Sequence, residues 1–493
     1  MSLSPRRFVL DTLGMAASQY VARAVLLARG VLAAAALGPA AFGGWNALNL
    51  ILDYGSYAPC GALQGLDLRL PAPTARGEAA EARRLLAGAW SVIAAGGALF
   101  TLAIVLSLAG GHPALLRGLG WTPLLLVLAA VLLQLALQYH GSALRARARF
   151  DVVSGSAVAQ ALVGGGLGLA LVWRFGLVGL LWGWLAGTLV GLAWVRLAAP
   201  DVPLRPGPFA GGLALARAGF LIFASFAASL VLRSVDRLAL IRYGTSADLG
   251  AYSLGVMAAG LVLYLPEAAG AVVFPRVAAA AGGARDPAGT RAEVARAQRA
   301  LVVTLPLLVG LIVVWAAPLV GWLLPAYLPG VPAVRFLALG SLMLSAGTLP
   351  GYYLLACGKA GRLLVLVVAT ALLNAALVFG VAARDHRPAV VALAASAGYA
   401  VFALGNVGLA ARDLCATAGA RAGFLALSFA PAVWVAVLAL GACAVGSPEA
   451  PGAAGLRTLV VLAGYLPALW WFGRGARLGE VVRALRAPPP PAG

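Results

Sequence analysis

The chain has 493 residues, 62% of them hydrophobic and only 11% charged. Soluble domains carry about 25% charged residues, and one water-exposed core stops growing near ~250–300 residues. A soluble enzyme is therefore excluded, and a chain crossing a bilayer many times is indicated. The net charge of +20 comes from arginine and a single lysine, Lys359. These cations cluster in short loops between apolar runs, which is a positive-inside pattern rather than a nucleic-acid footprint.

A spanning helix needs ~20 mostly apolar residues, and the pattern predicts about fourteen. The chain opens with Arg6 and Arg7 and no expected cleavage signal. The first span, 12–35, carries Gln19, Arg23 and Arg29, and the second, 42–64, has Asp53 near its centre. Spans at 86–109, 119–140 and 152–172 follow. The sixth, 177–195, places Gly179, Gly183, Gly187 and Gly191 four residues apart, a smooth face suited to close packing. The seventh, 218–241, holds Arg233, Asp236 and Arg237. The eighth, 250–272, ends near Glu267, which follows Pro266 and is placed to kink the helix or carry a proton.

The longest internal connection, 273–300, is basic and amphipathic (Arg291, Val294, Arg296, Arg299) and reads as a surface helix beside anionic headgroups. Six more spans are expected at 301–324, 334–356, 363–382, 389–410, 423–445 and 456–473. The end, 474–493, is a basic, proline-rich tail. Gln134, Gln138, Gln160, Asn374 and Asn406 read as interhelical hydrogen-bonding groups. His112, His140 and His386 fall at span ends or loops and read as solvated or interfacial. The four cysteines have no metal or redox spacing, and no phosphate loop is present.

With the N-terminus inside, the inward loops hold twenty-five basic residues and the outward loops seven, among them Arg335, Arg384, Arg387 and Arg457. The alternation holds across all fourteen spans and puts both termini on the cytoplasmic side. An internal repeat is visible. Gly38 to Trp45 and Gly244 to Tyr252 both read glycine, a short spacer, glycine, one residue, aromatic. Six spans separate them. A second echo joins Tyr139…Arg145 to Tyr353…Lys359. The fold class expected is an all-α polytopic membrane protein, with two six-helix lobes as parallel repeats around a central cavity and two extra helices. The boundaries are 1–212, 213–412, 413–473 and the 474–493 tail.

Arginine in mid-membrane costs about 2.5–3.5 kcal/mol on insertion scales. Arg23, Arg29, Arg233 and Arg237 must therefore face water, a partner or a substrate. Asp53 and Asp236 cannot neutralise all four. Two readings follow: register-holding ion pairs Arg23–Asp53 and Arg233–Asp236, or a cationic cavity for a phosphate or pyrophosphate.

Leu37-Gly38-Pro39-Ala40-Ala41-Phe42-Gly43, Val235-Asp236-Arg237-Leu238 with Gly250-Ala251-Tyr252-Ser253, and Val273-Phe274-Pro275-Arg276 resemble the polysaccharide flippase branch of the MOP exporter superfamily, the Wzx-type oligosaccharide flippases. The resemblance covers essentially the whole chain. It implies a non-enzymatic transporter in the bacterial inner membrane that moves undecaprenyl-pyrophosphate-linked glycan to the outer leaflet by alternating access, without a cofactor. It implies Arg23 and Arg233 or Arg237 as substrate-binding positions, and the reading of the membrane-embedded polar residues adds Arg29, Asp53, Asp236 and Gln19. It also implies partners among membrane lipids, a polysaccharide polymerase and glycosyltransferases. Alternatives are a multidrug cation antiporter of the same superfamily, a membrane-embedded glycan polymerase or ligase, and a structural scaffold.

Overall fold

The computed structural model describes residues 5–110, 118–281, 287–444 and 451–473, with side chains from residue 24 onward except at 271, 272, 275, 276, 279, 281, 287, 451, 472 and 473. The described residues form sixteen α-helices and one 3-10 turn, with no strand among them. In chain order the first eight are α1 (Pro5–Gly55), α2 (Ala62–Arg69), α3 (Pro71–Ala75), α4 (Ala79–Ala109), α5 (Trp121–Ala146), α6 (Phe150–Ala198), α7 (Phe209–Leu232) and α8 (Val235–Tyr243). Then come α9 (Ser246–Ala281), α10 (Pro287–Leu323), the 3-10 turn Pro325–Gly330, α11 (Val331–Ala346), α12 (Thr348–Ala356), α13 (Ala360–Ala382), α14 (Pro388–Leu414), α15 (Ala418–Cys443) and α16 (Pro451–Gly473).

Among the described residues twelve helical stretches are long and apolar enough to cross a membrane. Two of them fold back on themselves at one glycine, so twelve stretches supply fourteen crossings. In α1 the break is Gly38, at φ 70° and ψ 172°, followed by Pro39. Arg29 and Trp45 would lie ~24 Å apart along a straight helix. Instead the Arg29 guanidinium is 5.2 Å from the Trp45 ring, so the chain reverses between them. In α6 the break is Gly176, at φ 55°. Both values need a residue without a Cβ. The two expected inter-span loops are thus single-residue turns.

Packing divides the chain into two compact units: Met1–Leu230 with Thr245–Gly250, and Val231–Gly244 with Ala251–Gly493. In the first unit the halves of α6 lie antiparallel with backbones in contact. A methyl on Gly187 would stand 2.7 Å from the Gly164 α-carbon, and Gly183 meets Gly168 in the same way. The glycine row of the sixth span is therefore a packing face. Gln160 Nε2 crosses the seam to donate to Thr188 Oγ1 at 3.1 Å and also donates to Gln134 Oε1 at 3.0 Å. The α7 helix packs on α2 through Gly219 and Gly65, each too close to the other backbone to accept a side chain. The repeat glycines meet reciprocally: Gly43 rests on the Ser246 carbonyl and Gly250 on that of Pro39.

In the second unit α10 is the central post. Val309, Val313 and Val314 pack with Leu342 of α11, Val435 of α15 and Val461 and Tyr465 of α16. Tyr465 donates to the Val303 carbonyl at 2.7 Å and Trp315 to Thr458 at 3.0 Å, which fasten the last two spans to α10.

Three expectations are corrected here. The 273–300 connection is not a helix lying on the surface. Its described parts extend α9 and α10, with Val294 and Gln298 almost fully buried and Gln298 donating to the Ala346 carbonyl at 2.7 Å. Arg335 and Arg457 are not loop residues. Each is a bundle-facing cation bound to a carbonyl, Arg335 to Val313 and Arg457, only 3% exposed, to Ala442, both at 3.1 Å. His140 is fully buried rather than interfacial, with Nδ1 2.9 Å from the Ala136 carbonyl. His112 lies outside the described residues, and His386 is exposed.

Candidate functional site

The seventh span is not one helix. It stops at Leu232 and restarts at Val235, leaving Arg233 and Ser234 at a break. A break frees carbonyls that lipid cannot satisfy. Asn374 on α13 supplies a donor, 3.1 Å from the Leu232 carbonyl. A second break, between α11 and α12, is treated alike: Asn406 of α14 donates to the Gly347 carbonyl at 2.8 Å.

Arg233 therefore stands where the backbone turns aside. Its side chain is 43% exposed, and Nη1 lies 3.2 Å from Glu267 of α9. Arg237 is half-buried one turn on, with Nη2 3.4 Å from the Arg233 carbonyl. Asp236 occupies the first turn of α8, is 1% exposed, and does not serve as Arg233's partner. Its Oδ1 accepts the Arg237 backbone N–H at 2.7 Å. Its Oδ2 accepts a short hydrogen bond from Tyr252 of α9 and a longer one, 3.4 Å, from Tyr399 of α14. The helix N-terminus adds positive potential. The carboxylate is thus satisfied by two phenols and a backbone amide.

In the first unit Arg29 lies 5.2 Å from the Trp45 ring and 5.4 Å from that of Trp184, and the two indoles are 5.0 Å apart. Desolvated cation–π contacts are worth about 2 kcal/mol or more, which offsets much of the cost of a guanidinium at this depth. Asp53 is half-buried on α1. The side chains of Arg23 and Gln19 lie outside the described residues.

The two clusters are counterparts. Trp45 and Tyr252 are the aromatic positions of the two glycine repeats, and Arg29 and Asp236 each precede them by sixteen residues. The third members, Trp184 and Tyr399, come from the sixth span of each half. One half thus holds a cation between indoles, the other an anion between phenols. The sequence motif exposed Trp45 and Tyr252 as repeat aromatics but not what they face. Glu267 was visible as a membrane acid, but not as the partner of Arg233. Nothing in the sequence marked Trp184 or Tyr399.

Similarities to solved structures fit this architecture. The lipid II flippase MurJ in an inward closed conformation superposes with a TM-score of 0.71 at 15% identity, over 93% of this chain and 98% of that one. A multidrug resistance MATE family transporter of the MOP superfamily, inward-facing, gives 0.60 at 16% identity, over 79% and 94%. The Vibrio cholerae MATE transporter VcmN gives 0.59 at 16% identity, over 85% and 98%. The fold is shared with these flippase and transporter structures. Residues 86–327 also match the family model described as "Polysaccharide biosynthesis protein". A comparison with curated protein sequences gives no match.

Proposed function

We propose that the chain is a lipid-linked oligosaccharide flippase. It carries a polyprenyl-pyrophosphate-linked glycan from the inner to the outer leaflet of the bacterial cytoplasmic membrane, with both termini cytoplasmic. The repeats at 1–212 and 213–412 act as lobes in alternating access, and 413–473 is an addition to them. The observation that carries the reading is Arg233. It stands at a helix break with 43% of its side chain exposed, and one guanidinium nitrogen contacts an acid. The remaining N–H groups are available for a bidentate phosphate contact. The polysaccharide-biosynthesis match on 86–327 supports the substrate class. The pyrophosphate engages Arg233 and Arg237, with Arg23 and Arg29 as the first half's cations. Polymerase and glycosyltransferases act before and after transport.

The test is leaflet transfer of a fluorescent short-chain polyprenyl-pyrophosphate sugar in proteoliposomes. Transfer should require the protein. Arg233→Gln should reduce it at least about tenfold, as expected for a lost charge-assisted hydrogen bond, and Arg233→Lys should do so less. Equal transfer by wild type and Arg233→Gln would overturn the role of Arg233. The likeness to MATE transporters favours one other reading, cation antiport. Movement of cationic dyes with no glycolipid transfer would establish that reading instead.

A further inference from the structure

A groove of about 860 Å³ runs along the outer face of α13, α14 and α15 in the second unit. Its volume falls within the range of ligand sites, about 300–1,000 Å³. None of the transport residues lines it. Val365, Leu366 and Ala369 of α13, Leu404 and Gly408 of α14 and Leu425 of α15 line it. A Cβ on Gly408 would meet no heavy atom within 4 Å, so the space above it is open.

The groove is polar at one end only. Arg362, Arg412 and Arg421 line that end. Each begins a stripe that becomes apolar one turn on: Arg362 to Val365 and Leu366, Arg412 back to Gly408 and Leu404, Arg421 to Leu425. Arg362 and Arg421 sit in the first turns of α13 and α15, where helix dipoles also favour an anion. The nearby acid, Asp413, is taken by Lys359. Among the described residues the three arginines meet no carboxylate, and Arg421 Nε donates to the Cys415 carbonyl at 3.2 Å. The sequence places this end of the bundle inside, where anionic lipids are concentrated.

We propose that this groove is a binding site for one anionic phospholipid, its phosphate held by Arg362, Arg412 and Arg421 and an acyl chain lying along the α13–α15 groove over Gly408. Three convergent cations match a phosphate, and the apolar trough that continues from them matches a hydrocarbon chain. A free anion would use only the first feature and a neutral lipid only the second. The site stands apart from the transport reading and does not depend on it.

Native mass spectrometry of the full chain in detergent tests it, titrating phosphatidylglycerol against phosphatidylcholine of the same chain length. Wild type should retain phosphatidylglycerol preferentially. Replacing the three arginines by glutamine should weaken that retention at least about tenfold, and replacing them by lysine should weaken it less. Gly408→Phe, which fills open space rather than a packed seam, should weaken it without lowering the melting temperature. Equal retention of the two lipids by wild type would overturn the proposal. So would unchanged retention in Gly408→Phe together with displacement by soluble glycerol phosphate, which would mean a bare anion site.

Discussion

Asp236 shows how a carboxylate is held inside an apolar bundle by hydrogen bonds from two phenols and a backbone amide, with Arg237 as its charged neighbour. Removing the Tyr252 hydroxyl withdraws one of the few donors to this buried carboxylate. Hydrogen bonds to charged groups contribute about 1.5–3 kcal/mol, so Tyr252→Phe should lower thermal stability in detergent by that order. Tyr399→Phe, at 3.4 Å, should cost less. The reverse ranking in a melting experiment would show that Tyr399 carries the load. Asp236 was legible as a membrane acid, but its role was not. Sequence adjacency pointed to pairing with Arg233, whereas the break at Arg233 and Ser234 turns the two apart and gives Arg233 to Glu267. The polar residues Arg233, Ser234, Asp236 and Arg237 interrupt the apolar run there, but polar side chains on an unbroken span would give the same pattern.

At the scale of elements, glycine controls the geometry. The fourteen crossings were legible because each is an apolar run of sufficient length, and the four-residue glycine row was legible as a packing face. The loopless reversals at Gly38 and Gly176 were not, since the apolar run passes straight through both. Gly183→Leu should prevent the α6 hairpin from closing, because a side chain there collides with the Gly168 backbone. Loss of monodisperse protein on size-exclusion chromatography is expected, whereas Gly166→Leu, with open space at its Cβ, should remain monodisperse.

The connection after α6 makes a milder case. Arg147 holds Asp201 through two hydrogen bonds, 2.9 and 2.5 Å. This pulls the Asp201 carboxyl below its ordinary value, chiefly through the hydrogen bond from Arg147. A lowered folded-state value means the contribution is complete above the unfolded carboxylate pKa of ~3.9 and lost as pH falls through the folded one. Asp201→Asn should therefore cost a roughly constant ~0.2–1 kcal/mol at neutral pH. The gap between variant and wild-type melting curves should close below about pH 4. A gap that persists at lower pH would mean the pair is not electrostatic.

For the whole molecule, the strongest statement carried by the sequence is topological. By the expected alternation twenty-five basic residues fall on one side and seven on the other, and among those seven Arg335 and Arg457 turn into the bundle to bind carbonyls. Removing them from the outward tally leaves that side still poorer in exposed cations. Of the five that remain outward, Arg387 is held by Asp385 at 2.9 Å. The orientation rule counts basic residues in short loops, and its bias here is stronger than a raw count indicates. In a chain whose four cysteines are replaced by serine, His386→Cys should react with a membrane-impermeant maleimide in intact cells. Gly419→Cys, at the end that holds Arg412 and Arg421, should react only after permeabilisation. Both residues are exposed, and a Cβ at Gly419 has no neighbour within 4 Å, so neither variant disturbs packing. Labelling of Gly419→Cys from outside would invert the topology, and with it the leaflet from which the proposed flippase would load its substrate.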